Sequence, residues 1–173
     1  MTLETIQRNM DSNRLQLRKK LRQQIQWGRM GLLVILAVSL LNQILLLCKV
    51  NYHFHFSAAL PYYLNWLSRQ MGLGGFKAMA VILTILVYAC YIACWLLSAQ
   101  RRDWLMAALG LYAVDTVLLI IFSLTLLNNP ASCLLEILTH GAGLALLWWA
   151  VRAASQLSRI PRPRPSMPTR EES

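Results

Sequence analysis

Acidic residues, and charged residues in general, are scarce in this chain of 173 residues. Seven side chains are Asp or Glu against seventeen Lys or Arg, and charged residues make up 14% of the sequence while hydrophobic residues make up 57%. Soluble domains carry about 25% charged residues, so this composition argues against an ordinary soluble fold. The sequence therefore predicts an integral membrane protein.

Motifs that mark soluble catalytic domains are also missing. The sequence contains no Walker-type glycine-rich loop, no G-x-S-x-G, no H-E-x-x-H, no dinucleotide fingerprint and no C-x-x-C. The turns between its apolar runs are too short to hold a soluble catalytic domain. We therefore expect a protein that is not an enzyme and that carries no cofactor.

Long apolar runs are what the sequence has instead. Four of them reach the roughly 20 residues that cross about 30 Å of hydrocarbon as a helix. The predicted spans are residues 30–48, 78–100, 104–127 and 131–151. The sequence thus predicts an all-α integral membrane domain, residues 30–151, whose four transmembrane helices form an up-down bundle.

Lysine and arginine are concentrated at the two ends of the chain. Residues 1–29 contain seven of them and residues 152–173 contain five, whereas the turn between the last two spans contains none. Because basic segments stay in the cytoplasm, both termini are predicted to be cytoplasmic, in a plasma membrane of the bacterial type. The expected partner of this charge is the anionic inner leaflet. Nucleic acid is not expected, since the basic run has no aromatic interleaving and no recognisable module.

Three segments outside the spans have patterns of their own. Within residues 1–29, apolar residues recur at helical spacing among basic ones, which predicts a juxtamembrane amphipathic helix. The outer loop, residues 49–77, repeats this spacing after Pro61 and predicts a short interfacial helix. Residues 152–173 are rich in Pro and Arg and are predicted to be a disordered tail.

Three ionisable residues, Asp115, Glu136 and His140, lie inside the predicted spans. An Asp at the centre of a span costs about 2.5–3.5 kcal/mol, so such residues are candidates for function. At about 1.5 Å per residue, Asp115 and His140 both lie about 17 Å from the inner boundary, and Asn42 and Tyr88 lie about 18 Å from it. These five residues form the predicted intramembrane polar site.

This polar layer has three interpretations. In the first, Asp115 pairs with His140 across neighbouring spans and the amides and hydroxyls complete a hydrogen-bonded core that fixes the register of the bundle. In the second, Asp115, Glu136 and His140 form a proton- or ion-coupled binding site. In the third, the same three residues bind a metal ion.

The outer loop offers a weaker set of candidate ligands. His53 and His55 would share one face of an extended segment, with Cys48 nearby as a third ligand for zinc or copper, although an aromatic interfacial segment explains the two histidines equally well. Cys48 and Cys133 are both predicted at the outer face, where a disulfide could form. Neither feature predicts a metal site or a crosslink by itself.

The function expected first is that of a small non-enzymatic membrane component that packs with itself, as a homo-oligomer, or with another membrane protein. The main alternative is an ion- or proton-coupled carrier or channel-like subunit that uses the midplane polar site. A membrane-embedded metal or redox enzyme is the third possibility.

Overall fold

The computed structural model describes residues 3–50, 52, 54–72, 74–126 and 130–161. Within these ranges the chain forms helices and connecting turns and contains no β-strand. The helices are α1 (Leu3–Leu47), α2 (Ala59–Met71), α3 (Gly74–Leu97), α4 (Arg102–Leu126) and α5 (Pro130–Arg159).

Four of these helices, α1, α3, α4 and α5, are long and apolar enough to cross a membrane. This confirms the predicted all-helical class and the prediction of four helices long and apolar enough to span a membrane, and it indicates a multi-pass membrane protein. Many large apolar side chains on these helices point outward, such as Ile82, Val114 and Leu138, which are more than half exposed. Such exposure is expected of faces that meet lipid.

Helix α1 joins the basic N-terminal segment and the first span in one continuous helix of 45 residues. No proline interrupts it, and its polar part is rich in Leu, Arg, Lys and Gln, all of which favour helices. At the other end of the chain, α5 continues to Arg159, so residues 152–159, which were predicted to belong to the disordered tail, are helical. The first proline of the predicted tail is Pro161, which follows these helical residues. The remainder of the tail, residues 162–173, lies outside the described residues.

A left-handed residue ends helix α1. Lys49 has a φ of 59°, its amide donates to the Leu46 carbonyl (3.1 Å), and the Val50 amide donates to the Leu45 carbonyl (3.0 Å). These two bonds make a Schellman motif, whose left-handed position is usually glycine. The Arg69 guanidinium of α2 donates to the Leu46 carbonyl as well (2.6 Å), which places a cation at the negative end of the α1 dipole.

Replacing Lys49 by glycine is expected to stabilise the protein by about 0.5–1 kcal/mol, because glycine adopts this φ without the steric cost that Lys pays. The unfolding midpoint in detergent measures the effect. Gly72→Ala is the matched opposite change, since Gly72 ends α2 with a φ of 67°, and it should destabilise by a similar amount. A lower midpoint for Lys49→Gly would contradict this account of the α1 terminus.

The long helices form a closed set of neighbours, in which α1 packs against α5 and α3, and α4 packs against α3 and α5. Helix α2 contacts α1, α3 and α4. Gly28 and Gly31 allow α1 to approach α5 closely, because a Cβ on Gly28 would collide with the Cβ of Ala150 and a Cβ on Gly31 with the side chain of Leu146. The core that this packing encloses contains Leu32, Ile35, Tyr91, Leu105, Tyr112 and Leu147.

Candidate functional site

Asp115, on the span helix α4, caps the N-terminus of α2. Its carboxylate is buried, with the residue 2% exposed, and it accepts the Ala59 amide through Oδ2 (2.8 Å) and the Leu60 amide through Oδ1 (2.7 Å). The N-cap residue of α2 is Ala58, which has no side-chain acceptor. Asp115 therefore satisfies two orphan amides of the first turn from another helix, and its charge complements the positive end of the α2 dipole.

The chain just before α2 is bound in the same way by α1. We call residues 54–60 the docked segment. Asn42 pairs with the backbone of Phe54 in both directions, donating to its carbonyl (2.8 Å) and accepting its amide (2.7 Å), and also donates to the Ser57 hydroxyl (2.8 Å). The Ser39 hydroxyl accepts the amide of Ala58 (2.6 Å). Side chains of α1 thus take the place of a missing backbone partner.

Helix α5 binds the docked segment and α2 through two further polar residues. The Thr139 hydroxyl donates to the His55 carbonyl (3.1 Å), and the buried Glu136 carboxylate accepts the Tyr63 hydroxyl (2.9 Å). The Tyr63 ring also stacks on Phe122 of α4, with 5.8 Å between ring centroids. The neighbouring Tyr62 hydroxyl has a raised pKa, mainly because it is buried and also because the Glu136 carboxylate is near, while Arg69 acts in the opposite direction. Tyr62 therefore stays neutral near Glu136.

One amide on α2 connects the remaining helices. The Asn65 side-chain nitrogen lies within hydrogen-bonding distance of Thr84 Oγ1 on α3 (2.8 Å), the Pro61 carbonyl (3.0 Å) and Gln43 Oε1 on α1 (3.2 Å). Helix α2 is therefore bound by polar contacts to every span helix: α1 and α3 through Asn65, α4 through Asp115, and α5 through Glu136.

His140 lies beside this network. Its Nδ1 is 3.9 Å from Asp115 Oδ2 and 3.3 Å from the Thr116 hydroxyl oxygen, and its ring stacks on Tyr112 with 5.0 Å between centroids. Thr116 also donates its hydroxyl proton to the Tyr112 carbonyl of its own helix (2.7 Å). Gly143 makes room for the stack, since a Cβ there would lie 2.7 Å from the Tyr112 ring.

All five residues of the predicted polar site are buried, but they do not converge on one point. Asn42 and Asp115 bind opposite ends of the docked segment, and Glu136 binds Tyr63. His140 is near Asp115, yet 3.9 Å exceeds a hydrogen bond, and Asp115 uses its oxygens for α2 instead. The Tyr88 hydroxyl forms no hydrogen bond with any of the other four.

Nothing in the described part of the chain groups three His, Cys, Asp or Glu side chains closely enough to bind a metal ion. Asp115, Glu136 and His140 therefore do not form the ligand set considered from the sequence. Cys48 is exposed just after the end of α1. His53 and the side chain of Cys133 lie outside the described residues, so the predicted metal site in the outer loop and the predicted disulfide also fall outside them.

The sequence interpretation missed the partner of the polar layer, which is the docked segment with α2. The missed residues are Ser57, Ala58, Ala59, Leu60, Tyr63, Asn65, Thr116 and Thr139. The proline in "SAALP" predicts a helix start, but only the structure shows that the N-cap is Ala58 and not Ser57, so that the start has no side-chain cap of its own. An uncapped helix start and a carboxylate inside an apolar span each need a partner, and they are complementary.

The site thus consists of polar side chains of the span helices whose hydrogen bonds are made with the backbone and hydroxyl groups of the docked segment and α2. Its chemistry is recognition of exposed amides and carbonyls, which side-chain carboxylates, amides and hydroxyls perform well. We compared the chain with models of protein families, with curated proteins and with solved structures, and none of them matches it.

Proposed function

We propose that this protein is a non-enzymatic multi-pass membrane component whose buried polar layer holds the docked segment and α2 within the bundle, and which acts by packing with itself or with another membrane protein. The observation that carries the proposal is the pair of hydrogen bonds at Asp115, whose two carboxylate oxygens each accept one amide of α2.

The energetics favour this structural use of the polar residues. A carboxylate in a span costs about 2.5–3.5 kcal/mol, and hydrogen bonds to a charged group contribute about 1.5–3 kcal/mol each, so two of them offset the cost. Residues 54–58 of the docked segment are not helical, and their backbone also needs partners wherever it is enclosed away from water. Asn42, Ser39 and Thr139 supply them.

The arrangement in the membrane that fits these contacts is an up-down bundle of four helices with both termini in the cytoplasm. In a bacterial plasma membrane, the basic ends would face the anionic inner leaflet. Helix α2 would then lie at the outer face, with aromatic residues at headgroup depth and its N-terminus directed toward Asp115 inside the bundle.

Helix α5 offers a face for association. Gly141 and Ala145 are exposed one turn apart, a Cβ on Gly141 would meet no atom within 4 Å, and Trp148 and Trp149 are exposed on the following turn. Small residues at this spacing allow the backbones of two helices in a bilayer to approach closely, which favours van der Waals packing between them.

Crosslinking in membranes tests the association. With the native cysteines replaced, Gly141→Cys is expected to give a disulfide-linked dimer, or a disulfide with a partner, when the membranes are oxidised with copper phenanthroline, which reaches thiols inside the bilayer. Ala89→Cys is the matched control, because Ala89 is a small, exposed residue on α3 at about the same depth. Equal crosslinking at the two positions, or none at position 141, would contradict packing through this face.

The carrier alternative has one observation in its favour, the closeness of the two titratable groups of Asp115 and His140 at 3.9 Å. The structural proposal expects Asp115→Asn to lower the unfolding midpoint, whereas the carrier alternative expects it to stop transport in liposomes without unfolding the protein. A proton flux that this substitution abolishes while the unfolding midpoint stays unchanged would replace the structural proposal by the carrier.

A further inference from the structure

A cavity of about 630 Å³ opens at the end of the bundle where the basic part of α1 meets the C-terminal end of α5. Its walls come from the N-terminal part of α1, the turn between α3 and α4, and the C-terminal part of α5. None of the residues of the midplane polar layer lines it, so it is separate from the site described above.

Four arginines line this cavity: Arg18, Arg22, Arg101 and Arg102. Among the described residues that line the cavity there is no Asp or Glu, so no carboxylate of this lining neutralises the four charges. Uncompensated cations brought together in a concave site repel one another, and the binding of an anion relieves that repulsion.

Two of the arginines are anchored, one to α5 and one to the residue that follows it, and so have defined positions. Arg18 donates through Nη2 to the Ile160 carbonyl (3.1 Å), while its Nε is buried and has no hydrogen-bond partner in the described part of the chain. Arg102 donates through Nη1 to the Ser158 hydroxyl (2.8 Å), and its Nε lies 3.6 Å from the Asp103 carboxylate, which is not among the lining residues. Arg22 and Arg101 are exposed at the same cavity.

The other walls of the cavity indicate which kind of anion would fit, because they combine a helix N-terminus with an apolar surface. Helix α4 begins at Arg102, so the amides of its first turn and the positive end of its dipole are directed at this end of the bundle. Ile25, Leu105 and Leu157 add an apolar surface. The volume lies within the range of about 300–1,000 Å³ found for small-molecule sites, which leaves room for an organic group beside the anion.

We infer that this cavity binds a phosphate group carried on an organic moiety, with the arginines contacting the phosphate oxygens and the apolar wall contacting the organic part. Guanidinium groups match phosphate in a bidentate geometry and are always charged, which makes arginine the preferred residue for this anion. The same chemistry is found in a phospholipid headgroup and in a soluble phosphate ester.

Binding is tested on the full chain in nanodiscs of phosphatidylcholine, in two arms. One arm adds glycerol 3-phosphate to the buffer, and the other includes phosphatidylglycerol in the bilayer. The readouts are the shift of the unfolding midpoint and, for the lipid arm, the lipid retained in native mass spectrometry. We expect a saturable stabilisation in at least one arm, which also identifies the source of the phosphate.

A pair of double variants separates this site from general attraction to anionic surfaces. Arg22→Gln with Arg101→Gln removes two lining charges, whereas Lys19→Gln with Lys20→Gln removes two exposed charges that do not line the cavity. The arginine pair should weaken binding by about 100-fold, about tenfold for each lost charged contact, and the lysine pair by much less.

Two results would overturn the inference. One is the absence of a saturable response in both arms. The other is an equal loss in the two double variants, which would mean that the basic surface as a whole attracts the anion. Because Arg22 and Arg101 are exposed, both double variants should unfold at a midpoint no lower than that of the wild type when neither glycerol 3-phosphate nor phosphatidylglycerol is present, and this control shows that a loss of binding is not a loss of folding.

Discussion

Replacing Asp115 by alanine is expected to lower the free energy of unfolding by about 3 kcal/mol, and to release the N-terminus of α2 from the bundle. The substitution removes two charge-assisted hydrogen bonds at once and leaves the amides of Ala59 and Leu60 without acceptors. Ala58 cannot replace the lost cap, because it has no side-chain acceptor.

The conservative change Asp115→Asn should have a smaller effect of the same kind. Its amide oxygen can still accept one backbone amide, but its NH₂ group would face the other, so a loss of about 1–2 kcal/mol is expected. Unfolding in detergent gives the free energies, and hydrogen exchange at Ala59 and Leu60 gives the local effect. Both amides should be protected in the wild type and exchange faster in each variant.

Asp103→Asn is the matched control for Asp115. Asp103 lies on the same helix, but its side chain is 74% exposed and its ion pair with Arg102 is at the surface, so the loss should stay below about 1 kcal/mol. If the Asp115 variants unfolded like Asp103→Asn, and the two amides kept their protection, the role of Asp115 as the cap of α2 would be wrong.

Replacing Gly28 by leucine is expected to destabilise the protein by about 3 kcal/mol or more, because the helices α1 and α5 would have to separate. A Cβ at position 28 already collides with the Cβ of Ala150, and that atom belongs to a short side chain that cannot rotate away. Residues around this crossing, including Leu32, Ile35 and Leu147, are fully buried in the core. A separation of the two helices would therefore open the core along α1.

Gly110→Leu serves as the control for Gly28→Leu, since Gly110 lies on a span helix and a Cβ there would meet no atom within 4 Å. Its effect should stay within about 0.5 kcal/mol. The unfolding free energy in detergent again measures both. Equal destabilisation by the two substitutions would show that the close approach of α1 to α5 is not what makes Gly28 sensitive.

Glu136 and Asn42 illustrate how far sequence reasoning reaches at the candidate site. Both could be selected from the printed sequence, because polar residues in apolar spans are costly and must have partners. Their partners, Tyr63 and the backbone of Phe54, could not be selected, since the outer loop offers many hydroxyls and amides and its path depends on the packing of α1, α4 and α5 around it.

The fold shows the same division. The lengths of the apolar runs predicted the four span helices, and Pro61 with the apolar spacing that follows predicted α2. The continuity of α1 and the helical state of residues 152–159 were not predicted. The change to basic sequence near residue 29 and the prolines after residue 160 suggested helix ends at residues 29 and 151, but the helices continue through both positions. Local propensity in these stretches is compatible with helix, and contacts such as that of Arg18 with the Ile160 carbonyl fix their ends.

The amino-acid sequence by itself determined that this is a membrane protein of four apolar helices and that a few polar residues lie inside them, because hydrophobic length and the cost of burying charge are properties of short stretches of chain. The tertiary structure decided what those residues bind. One of the three interpretations paired Asp115 with His140. In the structure the imidazole lies 3.9 Å from the carboxylate, whose two oxygens accept the amides of Ala59 and Leu60 at the uncapped start of α2. That choice depends on distances between segments far apart in the chain, which no local pattern contains.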